Sequence, residues 1–438
     1  MKNLIEKLLA IFAKKIIKKY KPDVIGITGS VGKTSAKEAI FSVLAYEYNV
    51  RRNIKSYNNE IGVPLTIIGE KTGGKSLFLW LKVFYKAVKL LIFKDESYPK
   101  ILILEMGADK IGDIKYLVDL APLKIGVLTA IAETHLQAFK DLKGVLKEKE
   151  KIVTELPKDG FAILNYDDEN VMSLGDKLKS KIITFGFGQD ANVRAGDLLF
   201  SGLEQDFCET QYQWECKIWG TNFKVTYNNS SVPIFLPHCF GKQPAYAALA
   251  AISVAIAYGM NLVDISEALR QYRSPNGRMK LIAGIKYTLI IDDTYNSSPL
   301  AAKAALEVIK MIKLSEGKRK IVVLGDMLEL GEHSGQAHRE LGFKVAESDI
   351  DYLVTVGAES KLTAQAAEEA GLLKSQIESF DDNHKAGIFV QNLIQPGDLI
   401  LIKGSQGVRM EKIVKEIMAE PMKAKRLLVR QTGEWENR

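Results

Sequence analysis

The chain is 438 residues long, and at ~150 residues per domain that length points to two or three domains. Hydrophobic residues make up 47% and charged residues 26%, which excludes a disordered chain and a fibrous repeat. The formal charge of +7 is concentrated in residues 1–21, where seven lysines meet one glutamate, leaving +1 for the other 417; this weakens the reading of a nucleic-acid-binding face, and no nucleic-acid partner is expected.

Residues 1–22 read as a basic amphipathic helix. The apolar run from Leu4 to Ile17 is broken by Glu6, Lys7, Lys14 and Lys15, unlike a signal peptide. A buried-strand pattern, Val24–Thr28, leads through a glycine-rich turn into a helix from about Lys33 to Tyr48. Leu77–Phe93 is the most hydrophobic stretch, yet Lys82, Lys86 and Lys89 share one helical face within it, and a spanning helix needs ~20 largely uncharged residues. With the N-terminal helix it makes either a peripheral patch on anionic lipid or two helices packed on a sheet.

Strand-length apolar runs follow at Ile101–Glu105, Ile125–Thr129, Phe161–Leu164 and Ile182–Phe185. Between about 191 and 236 the pattern changes: Thr210, Tyr212, Trp214, Cys216 and Ile218 alternate with polar residues, the period of a half-exposed antiparallel strand. Helices are expected at Pro244–Tyr258 and Val263–Gln271. A turn cluster, Arg273–Gly277, marks a boundary, after which strands are expected at Thr288–Asp292, Lys320–Leu324, Tyr352–Val356 and Leu399–Lys403. The expected fold is α/β, with a central parallel-sheet domain (23–272) bearing a small β-rich section and a second α/β domain (273–438).

Cys208, Cys216 and Cys239 have no CxxC spacing, which fits a reducing, cytoplasmic setting better than a disulfide framework. His238-Cys239 lacks a second Cys/His pair, so a zinc site is not expected.

The chemistry begins at Gly26-Ile27-Thr28-Gly29-Ser30-Val31-Gly32-Lys33-Thr34-Ser35, between a strand and a helix. Backbone amides of Gly29 to Ser35 can converge on phosphate oxygens, Lys33 can neutralise them and Thr34 can ligate Mg²⁺. The strict GxxxxGK[ST] pattern wants glycine where Ile27 stands. Glu105 ends a strand, where it can be a Mg²⁺ ligand or a capping or salt-bridge residue. His135 follows the next strand, where a lone histidine is more often structural than a ligand. Lys149 lies in Lys147-Glu148-Lys149-Glu150-Lys151, a run that also reads as a solvated helix face.

In order and spacing these segments resemble the Mur ligases, ATP-dependent amide-forming enzymes of peptidoglycan precursor synthesis. The motifs are TGSVGKTS (28–35), NNEIGVPLT (58–66), LEMGA (104–108), ETHLQ (133–137), DDTYNSSP (292–299), LGDMLELG (324–331) and KGS (403–405). The set is most like the branch that adds a D-alanyl-D-alanine dipeptide to a UDP-N-acetylmuramoyl-tripeptide. The resemblance implies a P-loop ATPase domain followed by a Rossmann-like ligase domain. It implies that Lys33 and the loop hold ATP, with Thr34 and Glu105 on one Mg²⁺. His135 and a carbamylated Lys149, with Lys147 and Lys151 as neighbouring candidates, would hold a second. Arg278 would reach the γ-phosphate, and Asp293, Tyr295 and Asn296 would contact the nucleotide. Asn59, Lys403 and Ser405 would serve the muropeptide-like carboxylate and the amino acid or dipeptide. Closure of the two domains would assemble these groups and keep water from an acyl phosphate.

Two departures shape the expectation. Only one basic helix precedes the loop, where the family carries a domain for the uridine nucleotide; beside a UDP-N-acetylmuramoyl-tripeptide-like carboxylate the expectation therefore keeps open a different or lipid-linked acceptor, or a partner that supplies the UDP site. The family's Gly-x-His-Asn-x-x-Asn-Ala-Leu reads here Gly241-Lys242-Gln243-Pro244-Ala245-Tyr246-Ala247-Ala248-Leu249, altering the expected adenine contacts. A further reading is a non-catalytic, nucleotide-dependent assembly protein at the inner membrane face.

Overall fold

A computed structural model describes residues 2–54, 57–132, 139–201, 220–431 and 435. His135 and the alternating stretch 210–218 lie outside the described residues. The chain divides into two compact units, residues 1–197, 223–234 and 245–272, and residues 198–222, 235–244 and 273–438.

The first unit opens with helix α1 (Lys2–Tyr20), strand β1 (Asp23–Thr28), α2 (Lys33–Leu44), β2 (Val50–Arg52), α3 (Gly62–Ile68) and α4 (Leu77–Ile92). It continues with β3 (Ile101–Glu105), α5 (Asp113–Leu120), β4 (Ile125–Leu128), α6 (Leu142–Lys149), β5 (Phe161–Asn165) and β6 (Lys181–Gly186). In chain order strands β7 (Val193–Ser201), β8 (Gly220–Tyr227) and β9 (Ser230–Pro237) and helices α7 (Lys242–Ala257) and α8 (Leu262–Leu269) follow, residues 198–201, 220–222, 235–237 and 242–244 of them being assigned to the second unit. The sheet order is β2-β3-β1-β4-β5-β6-β7-β8-β9, with β2 through β7 paired in parallel. Every residue of β3 is buried, as expected of an apolar run covered on both faces. β1 lies between β3 and β4, so its carboxyl end opens beside both.

Leu9, Ala13 and Ile16 of α1 are buried with Val63, Leu65 and Trp80. Their spacing is that of one helical stripe, and α1 is therefore part of this core.

The second unit contains β10 (Lys280–Ala283), β11 (Leu289–Asp293), α9 (Pro299–Met311), β12 (Lys320–Gly325), α10 (Ser334–Ala346), β13 (Tyr352–Val356) and α11 (Ser360–Glu369). It ends with β14 (Ile377–Phe380), α12 (Asn383–Leu393), β15 (Leu399–Lys403) and α13 (Glu411–Ile417). The order is β10-β11-β15-β12-β13-β14, parallel except for β10. Side chains alternate between two cores: Leu289, Ile291, Leu399 and Leu401 face one, Ile290, Ile400 and Ile402 the other. Continuing that alternation puts Asp293 and Lys403 opposite one another on the same face.

Candidate active site

Gly29 to Gly32 link β1 to α2. Gly29 has φ 148° and a Cβ there would come 2.1 Å from Thr129 Oγ1, so the close approach of the two chain segments requires glycine. Gly32, at φ 88°, is the left-handed residue before α2. The Thr129 hydroxyl donates to Val31 O (2.5 Å), and Ser30 N donates to Ala130 O (2.7 Å). Ser30 Oγ donates to Ala132 O (2.8 Å) and accepts from Ala132 N (3.0 Å). The loop is thus braced by the segment after β4, and the Lys33 ammonium lies across it, donating to Gly29 O (2.6 Å). Thr34 and Ser35 begin α2, at its positive end.

Glu105 is buried at the end of β3 beside Ile27 of β1. Its carboxylate lies 3.3 Å from Lys37 Nζ and accepts from Asn58 Nδ2 (3.2 Å). Asn53 holds the Glu105 backbone from both sides, Oδ1 accepting from its N–H (2.8 Å) and Nδ2 donating to its carbonyl (2.9 Å). Lys37 escaped the sequence reading. Its signal is the four-residue step from Lys33, which puts both lysines on one face of α2.

Of the three candidate lysines, Lys149 is 2% exposed, Lys147 is exposed and Lys151 pairs with Glu150 at 3.6 Å. Burial, with the nearby Lys33 charge, pushes the Lys149 amine down to about 7, against the pull of Glu148 and Asp109. Glu148 is spent on structure: its carboxylate accepts from Gly112 N (2.8 Å) and Ile114 N (2.7 Å) at the start of α5.

Lys33 and Lys149 line one cavity of about 850 Å³, together with Ser30, Asn58 and Asn59. Asn59 Oδ1 also accepts from Gly62 N (3.0 Å), the first residue of α3. The cavity's further wall is α1, through Asn3, Glu6, Lys7, Ala10 and Ile11, a contribution that composition alone hid behind the label of a basic segment.

For Mg²⁺ the donor chemistry fits one ion directly: the ion keeps several waters and needs one or two carboxylates besides phosphates, and Glu105 and Thr34 flank the loop. Among the described residues no group of three or more His, Cys, Asp or Glu could form an all-protein cage. A second ion would depend on Lys149 as a carbamate and on His135.

The second unit has its own polar cluster at the strand ends. Lys403 Nζ donates to Asp293 Oδ2 (2.6 Å) and to Asn296 O (3.0 Å) and is buried. Ser405 Oγ accepts from Leu328 N (2.9 Å) and donates to Ser297 O (3.2 Å), so both side chains fix the 293–297 turn. Arg278 lies over the Tyr295 ring at 4.2 Å, and Tyr295 N donates to Gly277 O (2.9 Å). Gly277 N and Met279 N donate to Asp292 and Asp293 (3.2 Å each). Full burial pushes the Asp292 carboxyl up to about 6, tempered by the Thr294 hydrogen bonds. In α7, Pro244 and Ala247 are buried, while Tyr246 OH donates to Asp167 Oδ2 (2.8 Å).

A braced glycine loop at the head of a parallel sheet, a lysine across it and a carboxylate on the neighbouring strand define a phosphate-loop, nucleotide-using enzyme. Residues 86–255 match the Mur ligase middle domain and residues 277–406 the Mur ligase glutamate ligase domain. The chain is 30% identical over 414 residues to UDP-N-acetylmuramoyl-tripeptide–D-alanyl-D-alanine ligase of Bacillus subtilis, covering 94% of this chain and 79% of that one. To the Escherichia coli enzyme of the same name it is 28% identical, covering 90% and 76%. The crystal structure of MurF from Acinetobacter baumannii superposes with a TM-score of 0.74 at 26% identity, over 95% of this chain and 80% of that one. The chain belongs to the Mur ligase family and is an ATP-dependent, amide-forming ligase of peptidoglycan synthesis.

Proposed function

We propose that the chain joins D-alanyl-D-alanine to the terminal carboxylate of a UDP-N-acetylmuramoyl-tripeptide through an acyl phosphate. The observation that carries this reading is the single cavity shared by the loop residues Ser30 and Lys33, Lys149 and Asn59. The similarity to relatives named for that reaction, over most of both chains, supports it.

The acceptor carboxylate attacks the γ-phosphorus and ADP leaves. The amine then attacks the acyl carbon, loses its proton, and the tetrahedral adduct expels phosphate. Two anions must approach in the first step, so cations decide the rate. Lys33 and the loop amides hold the phosphates, and Arg278 serves the γ-phosphate. Two Mg²⁺ ions, held by Thr34 and Glu105 and by His135 and carbamylated Lys149, supply further neutralisation when bound. Asp293, Tyr295 and Asn296 contact the nucleotide. Asn59 orients the acceptor, and Lys403 and Ser405 shape the amine side.

A second reading, a lipid-linked carboxylate acceptor, is favoured by the exposed apolar face of α4. ADP formation measured with UDP-N-acetylmuramoyl-tripeptide and D-alanyl-D-alanine, together and singly, separates the two. The proposal expects turnover only with both, and a product heavier than the acceptor by one dipeptide residue. Binding of ATP with no turnover on this pair would overturn the substrate assignment in favour of another acceptor.

A further inference from the structure

Helix α4 has two apolar faces, and the core uses one. Trp80, Val83, Ala87 and Leu90 are buried against the first unit's core. Leu77, Phe78, Leu81, Tyr85, Val88 and Ile92 are exposed, with Phe78 at 76%, Leu77 at 71% and Tyr85 at 70%. At about 100° per residue those six fall within a stripe roughly 100° wide, turned away from the buried stripe. Folding gives no reason for it, because the buried stripe already fixes the helix.

The helix is also held rigidly. Ser76 caps its start, accepting from Leu79 N. At its end Lys19 Nζ donates to the carbonyls of Leu90 (2.8 Å), Leu91 (2.9 Å) and Phe93 (2.9 Å), and Tyr20 OH donates to that of Leu90 (2.9 Å). An exposed stripe on a frame this well tied is a surface and not a frayed end.

Charge decides what the surface meets. Between Lys71 and Lys94 the sequence holds six lysines and no acidic residue; Lys86 and Lys94 pair with Glu70 and Glu96 just outside that span. Lys82 and Lys89 are exposed at the border of the stripe. A second copy of the chain would bring the same lysines against each other. An anionic lipid headgroup layer meets both features, taking the apolar side chains below and pairing with lysines at its own level. Among the described residues no helix is long and apolar enough to cross a membrane, so α4 would lie in the interface.

We propose that the outward face of α4 docks this protein on an anionic phospholipid surface. The same α1 that ties down the end of α4 walls the ligase cavity, so membrane attachment and the site share one helix. The proposal does not depend on which acceptor the ligase uses.

The test is flotation of the full chain with phosphatidylcholine–phosphatidylglycerol vesicles and with phosphatidylcholine alone, at low and high salt. The expected result is binding to the anionic vesicles at low salt, weakened at high salt and on neutral vesicles. Phe78→Asp with Leu81→Asp should lower the vesicle-bound fraction about tenfold, and Lys82→Glu with Lys89→Glu should remove the preference for anionic lipid. ATP affinity should be unchanged in both variants, which certifies their folding. No binding to anionic vesicles at low salt, or equal binding by both folded variants, would overturn the proposal. So would a dimer in solution that Phe78→Asp dissociates without any vesicle binding.

Discussion

Lys33 and Lys149 both bring amines to one cavity, and in the proposed mechanism a nucleotide phosphate would be the counterpart of Lys33. A buried amine beside a second cation is a poor place for charge, which the depressed Lys149 value expresses. Converting that amine to a carbamate would exchange a repelled cation for an anion at the same point, the character a metal-binding site needs. Lys149→Ala should therefore keep ATP binding and thermal stability while losing turnover by about 10²-fold or more. Calorimetric titration with ATP and a phosphate-release assay check the two halves. Unchanged turnover would reduce Lys149 to a packing residue.

At the scale of elements, the loop works because its neighbours leave no room for anything else. Gly29→Ala puts a methyl group on Thr129 Oγ1 and should cost about tenfold or more in ATP affinity by moving the loop, a strain of order 1–3 kcal/mol. Gly175→Ala, where nothing lies within 4 Å of the new methyl, is the matched control and should bind ATP normally. Equal affinities would show that the loop tolerates displacement.

Elements of this kind were legible in the sequence where the signal is local. The apolar runs Ile101–Glu105, Tyr352–Val356 and Leu399–Lys403 are the observed strands to the residue, because buried parallel strands are short, near-continuous apolar runs with sharp bounds, here closed by Glu105 and Lys403 in two of the three. Long-range pairings were not legible. Nothing local couples Lys37 to Glu105, or Glu148 to the start of α5, and a run of alternating Lys and Glu does not say which member points inward. Helical periodicity showed that α1 and α4 have apolar faces. It could not show that α1 walls a cavity or that α4 keeps a second apolar face in the open.

At the scale of the molecule, the proposed machinery is divided. Lys33, Glu105 and Lys149 belong to the first unit, Arg278, Asp293 and Lys403 to the second. A nucleotide-binding unit alone could split ATP with water; what distinguishes a ligase is that the phosphate leaves carrying an oxygen from the acceptor. The decisive measurement is mass analysis of inorganic phosphate released during turnover with ATP, D-alanyl-D-alanine and a UDP-N-acetylmuramoyl-tripeptide whose terminal carboxylate carries heavy oxygen at both positions. An acyl phosphate predicts one heavy oxygen in each phosphate formed. Phosphate released without the label would mean attack by water, and would contradict the ligase mechanism.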